Sequence, residues 1–125
     1  MRLLTLEQLL QLHAIVMQET GGASKLRDLG RLEAALATQT QSVFSEELYP
    51  ELADKAAALI RGIIADHPFA DGNKRTAMLS GLTFLTINGV NFQIPKGQLE
   101  DFAVKVAVAK LDIKQIGEWL RTYIV

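Results

Sequence analysis

His67-Pro68-Phe69-Ala70-Asp71-Gly72-Asn73-Lys74-Arg75 is the stretch on which the reading of this chain turns. Ahead of it runs a segment nearly solid with Ala, Leu and Ile, and behind it a second apolar segment that stops at Asn88-Gly89. Helices that are apolar almost all round are buried on most sides. Pro50 suits the first turn of the leading helix, which is expected to run to about Asp66. The trailing helix is expected from about Asn73 to Ile87. Pro68 and Gly72 punctuate the chain between them. The pattern therefore predicts two central helices joined by a loop of unusual composition.

Working outward, the flanks also read as helices. Thr5 is a good N-cap, and Gln8 three positions on completes a capping box. Leu6, Leu9, Leu10, His13, Val16 and Met17 follow at helical spacing, and Gly21-Gly22 ends the run. Asp28 caps a second helix carrying Leu29, Leu32, Ala35 and Leu36. Residues 38–47 are polar and weakly periodic and read as a loop or flap over the site. Beyond the second central helix, Val90 to Ile94 suits a short strand or extended turn. A fifth helix is expected from about Gln98 to Lys110. Asp112 with Gln115 caps a last one bearing Ile113, Ile116, Trp119, Leu120 and Tyr123. The fold class is all-α: about six helices in one domain spanning 1–125, with the motif loop between the two central ones.

Composition narrows the function classes. With 49% apolar residues spread along 125 positions, the chain can bury a real core. A formal net charge of −1 does not suggest a nucleic-acid surface. Absence of cysteine excludes disulfides and Cys-ligated zinc. Two histidines far apart in sequence make a poor ligand set for a metal hydrolase. No membrane span or export signal is visible, so the cytoplasm is the expected location.

The loop concentrates groups that handle anions. Near neutral pH His67 can take a proton from an attacking hydroxyl. Asp71 offers a carboxylate of the kind that shares Mg²⁺ with substrate phosphates. Gly72, lacking Cβ, lets the backbone approach a ligand closely. Asn73 opens a helix whose first N–H groups attract phosphate, and Lys74 and Arg75 add a point charge and a planar fork. Phe69 should point inward and pin the loop. Singly, each has a bland reading: a surface histidine, an Asp-Gly-Asn turn, a solvated Lys-Arg pair. Gathered in nine residues beside a helix start, they favour an anion-handling site over a structural loop.

These residues also resemble a family signature. The run from His67 to Arg75 is similar to the motif of the Fic/Doc (Fido) superfamily, in the form carried by its Doc (death-on-curing) toxin branch. Leu12-His13, Gly21-Gly22, Arg27-Asp28, Leu32-Glu33, Tyr49-Pro50, Lys55-Ala56-Ala57 and Asn88-Gly89 fall in the order of that branch, so the resemblance spans nearly the whole chain. It implies a single all-α Fic domain and an ATP-dependent transfer to a protein Ser or Thr hydroxyl. His67 would be the general base, Asp71 the Mg²⁺ ligand, and Gly72, Asn73, Lys74 and Arg75 the holders of the ATP phosphates.

Doc proteins are toxins of toxin–antitoxin modules, and the implied target is elongation factor Tu, whose modification stops translation. AMP-transferring relatives have Gly where this chain has Lys74, and a second Arg where it has Met78. Both departures match the Doc branch and imply transfer of the γ-phosphate, with AMP transfer as the alternative. Lys25-Leu26 replaces a glycine found in many relatives and affects that loop's shape. The self-inhibitory motif of other Fic proteins is not formed, since Glu47 follows Ser42…Glu46 where Gly or Asn belongs. Control in trans by an antitoxin is therefore expected. A helical module that binds nucleotide or a partner without chemistry is the remaining reading, against which the intact His67 and Asp71 stand.

Overall fold

A computed structural model describes residues 1–125. Six α-helices follow in order: α1 Leu6–Thr20, α2 Leu29–Ala37, α3 Leu52–Asp66, α4 Asn73–Ile87, α5 Gln98–Ala109 and α6 Ile113–Tyr123. Between α2 and α3 lie a 3₁₀ turn, Thr38–Thr40, and a two-stranded antiparallel hairpin. Its strands are β1 Ser42–Val43 and β2 Glu46–Glu47, turning through Phe44 and Ser45, both at positive φ. The all-α class holds, and the polar segment 38–47, read as a loop or flap, is ordered as a 3₁₀ turn and a short hairpin.

The expected caps form. Thr5 and Gln8, and Asp112 and Gln115, make reciprocal capping boxes, and Asp28 accepts the Arg31 amide. Gly21 ends α1 in the left-handed conformation at φ 76°. Pro50 lies just outside α3, whose N-cap is Glu51. The segment around Phe92 is extended and bridges Ile124 antiparallel.

Helix α3 is the hub, packing on α2, α4, α5 and α6. Ala56, Ala57, Leu59, Ile60 and Ile63 are fully buried along it. Its small residues let neighbours close in, and α4 answers with Gly81. A Cβ on Gly81 would stand 2.6 Å from the Ile60 side chain and 3.3 Å from the Ala56 carbonyl. This close approach fixes where the end of α3 and the start of α4 meet, which is where the motif sits. At the far side, Trp119 of α6 stacks on Phe102 of α5 with centroids 3.9 Å apart. No helix is long and apolar enough to cross a membrane.

Candidate active site

Helix α3 ends at Asp66, and His67 takes the left-handed conformation (φ 49°, ψ 59°), its N–H donating to the Ile63 carbonyl at 3.2 Å. A β-unbranched but non-glycine residue held there stores strain, on the order of 1–3 kcal/mol. Pro68 follows and cannot continue the helix. The His67 ring is exposed, with Nδ1 3.3 Å from the Ala65 carbonyl. A carbonyl only accepts, so Nδ1 is the donor in this contact, and in the neutral ring that leaves the lone pair on Nε2, as a general base requires.

The loop is held from three sides. Residues 25–28 run beside it: the Pro68 carbonyl accepts from the Arg27 and Asp28 amides at 2.8 and 2.9 Å, and the Ala70 amide donates to the Lys25 carbonyl at 3.0 Å. Phe69 points inward as expected, 1% exposed. Beneath it His13 of α1, also 1% exposed, stacks on the phenyl ring at 3.7 Å and 7°. His13 Nε2 donates to the Asp71 carbonyl at 2.9 Å, and Nδ1 lies 3.2 Å from Ser24 Oγ. From α4, the Asn73 carboxamide accepts from the Phe69 amide at 3.0 Å and donates to the Phe69 carbonyl at 2.9 Å.

Asn73 is thus placed differently from its sequence reading. Its side chain is spent inside the loop, and only its amide is left to meet an anion. Gly72 is the N-cap of α4 at φ 76°, with no side-chain cap, and a Cβ there would sit 2.6 Å from Met17 Sδ. The amides of Asn73, Lys74 and Arg75 find no acceptor in the protein; the first helical bond at this end is Thr76 to the Gly72 carbonyl. Three orphan donors at the positive end of a helix dipole form an anion site.

Around it, Lys74 is exposed and makes no ion pair. Arg75 Nη2 meets Glu19 Oε2 at 2.6 Å, both side chains about half exposed. Exposed pairs of this kind are worth only about 0–1 kcal/mol, so a phosphate can displace the carboxylate. The Asp71 carboxylate is exposed, with Oδ1 accepting from the Gly72 amide at 2.7 Å. Its second oxygen is uncommitted, which fits a Mg²⁺ that takes one carboxylate and fills its shell with phosphate oxygens and water. No three His, Asp or Glu side chains converge into a protein-only metal cage.

These groups border one cleft of about 330 Å³, walled by Met17 and Thr20 of α1, His67, and residues 70–75. The structure therefore brings His67, Asp71, Gly72, Asn73, Lys74 and Arg75 together. No residue of the segment 38–47 is among those that line the cleft.

The sequence profile of the Fic/DOC family matches residues 3–85. The chain belongs to the Fic/DOC family. It is 42% identical over 101 residues to the protein named Toxin Doc of Mycolicibacterium smegmatis, covering 78% of this chain and 76% of that one. It is 34% identical over 122 residues to the protein named Protein kinase doc of Escherichia phage P1, covering 97% of this chain and 94% of that one.

Within this Fic/DOC domain, the residues that sequence reasoning passed over are those that hold the loop. His13 read as one member of an apolar helix face and as part of the Leu12-His13 pair in the family order, with no role assigned to it at the loop. The one available signal was that a polar ring among Leu9, Val16 and Met17 needs buried partners. Glu19 gave no comparable signal, and residues 25–28 read as a helix cap and a family segment but not as a brace for the motif, because that role depends on which segment the fold lays beside it.

Proposed function

We propose that the chain is a Doc-like toxin that moves the γ-phosphate of ATP to a Ser or Thr hydroxyl of a translation protein, with elongation factor Tu as the proposed acceptor. One observation carries this: an exposed histidine with a free Nε2 shares a cleft with three unpaired helix-start amides. The relatives' names, Toxin Doc and Protein kinase doc, support the same reading.

In the proposed step, the acceptor oxygen attacks the γ-phosphorus and its proton passes to His67 Nε2. The bond from the γ-phosphorus to the bridging oxygen breaks, and ADP leaves with the electron pair. The amides of Asn73, Lys74 and Arg75, with the Lys74 ammonium and the Arg75 guanidinium, hold phosphate oxygens and stabilise the spreading charge. Gly72 keeps the backbone close enough for those contacts. Mg²⁺ held by Asp71 would neutralise charge on the phosphates.

AMP transfer is the reading this displaces. At the position where AMP-transferring relatives carry a second arginine, Met78 is 3% exposed and faces the core, so it supplies no phosphate ligand. Incubating the protein with a bacterial extract and ATP labelled at either the α- or the γ-phosphate tests the choice. Label retained from the γ position alone supports phosphate transfer; label from the α position overturns it.

An antitoxin acting in trans completes the proposal. A groove of about 190 Å³ between α1, α4 and α5, floored by Ile15, Met78, Leu82 and Leu99, suits an amphipathic helix, and Arg75 lies on both this groove and the phosphate cleft. A partner seated there would act on the site by occlusion. The place of action is the cytoplasm, where ATP and the translation machinery are found.

A further inference from the structure

His67 stands between two clefts. One is the phosphate cleft already described. The other, of about 260 Å³, lies between the C-terminal turns of α3 and α5. Its apolar lining is Ile64, Ala65, Val106 and Ala107, and Arg61 and Lys110 border it too. His67 is the one residue that borders both.

We propose that this second cleft is the acceptor subsite: it seats a segment of the target protein bearing an acidic side chain beside the hydroxyl to be modified. The assignment rests on the transfer reading given above and adds where, and by what chemistry, the target is recognised.

The first support is geometric. A general base must reach the acceptor hydroxyl by hydrogen bond, and the attacking oxygen must lie about 3–3.5 Å from the phosphorus. The phosphate cleft holds the donor beside the ring, and the acceptor needs an approach that also ends on the ring. The α3–α5 cleft is such an approach, since His67 borders it too.

Charge is the second support. Arg61 and Lys110 are exposed, and neither side chain makes an ion pair or hydrogen bond within the protein. Lys110 caps the C-terminal end of α5, where a cation is favourable by itself. Arg61 lies inside α3 and has no such reason. Two unpaired cations over an apolar floor call for a carboxylate flanked by an aliphatic side chain. A nucleoside end of ATP on the same floor is the competing outcome, and the experiment separates the two.

The test compares the wild-type protein, the charge-reversed R61E/K110E variant and the charge-conserving R61K/K110R variant. Each is given a bacterial translation extract with α- and γ-labelled ATP in parallel, so that the subsite is tested whichever group is moved. ATP hydrolysis without extract is measured alongside, to report folding and nucleotide binding. The expected result is at least a tenfold fall in label transfer at low extract concentration for R61E/K110E, near wild-type transfer for R61K/K110R, and unchanged kcat and KM for ATP hydrolysis in both. Equal labelling by R61E/K110E overturns the subsite. A raised KM for ATP in R61E/K110E also overturns it, by giving the cleft to the nucleotide. If the wild-type protein hydrolyses ATP but labels no acceptor from either position, the transfer reading itself fails and the subsite falls with it, a result visible without the variants.

Discussion

At the scale of single residues, the motif divides into groups that face the cleft and groups that build it. His67 faces out, so His67→Ala should leave the fold intact and cost about 10²–10⁴ in transfer rate, the usual worth of a general base. Label transfer and a thermal melt on the same sample check both halves. Wild-type transfer by a folded His67→Ala protein would remove the role. Asp71 also faces out, and Asp71→Asn should raise the Mg²⁺ needed for half-maximal ATP use with little change in melting temperature. A Mg²⁺ titration reads it, and full activity in excess chelator would end the metal assignment. Asn73 builds. Asn73→Ala leaves the buried Phe69 amide and carbonyl without partners, each costing about 1–3 kcal/mol. A urea midpoint should move by at least that of one such group, while an unchanged midpoint would mean the carboxamide ring is dispensable.

At the scale of elements, the hairpin and its anchor are the place to look. Lys55, in the first turns of α3, is 1% exposed, and its Nζ donates to the Gln39 carbonyl at 2.6 Å and to Glu47 Oε1 at 3.2 Å. Gln39 in turn bonds the Leu4 amide and carbonyl and the Leu36 carbonyl. One buried ammonium therefore ties the 3₁₀ turn and β2 to the central helix. Lys55 precedes His67 by three helical turns, about 18 Å along the axis, so the tie is remote from the chemistry. Lys55→Ala should free the hairpin before it affects the site. Hydrogen exchange at the Leu48 amide, bonded to the Gln41 carbonyl at 2.8 Å, should speed up, with ATP hydrolysis little changed. Exchange as slow as in the wild type would show that the hairpin holds itself. Phe44, 96% exposed at the hairpin turn, is free to meet a partner there.

At the scale of the whole molecule, the α1–α4–α5 groove and the phosphate cleft share Arg75, so a partner in one is felt in the other. A helix laid in the groove should bind with a large negative heat-capacity change, because apolar surface is buried as the segment orders. Calorimetry with the cognate antitoxin reads this, and Ile15→Glu, placing a charge on an exposed part of the groove, should weaken binding at least tenfold. Undiminished affinity would put the antitoxin elsewhere. Cutting the helix ends apart by removing the small residues at the α3–α4 contact would act on everything at once, since Gly81→Leu cannot be accommodated against Ile60.

The sequence by itself determined the helices, their caps and the chemical inventory of the loop. Helical periodicity and capping are local: Thr5 with Gln8 or Asp112 with Gln115 act within one turn, so neighbouring letters suffice to read them. The motif was legible for the same reason, its groups being consecutive. What only the tertiary structure decided is what each group does with its second hydrogen bond. Asn73 turned out to brace Phe69, and His13, fifty-eight residues from Asp71, to carry that residue's carbonyl. Arg75 is shared with Glu19, and the polar segment 38–47 folds into a hairpin fastened by Lys55. Such roles depend on which distant backbone the packing of α3 brings within about 3 Å, and no local pattern encodes that distance.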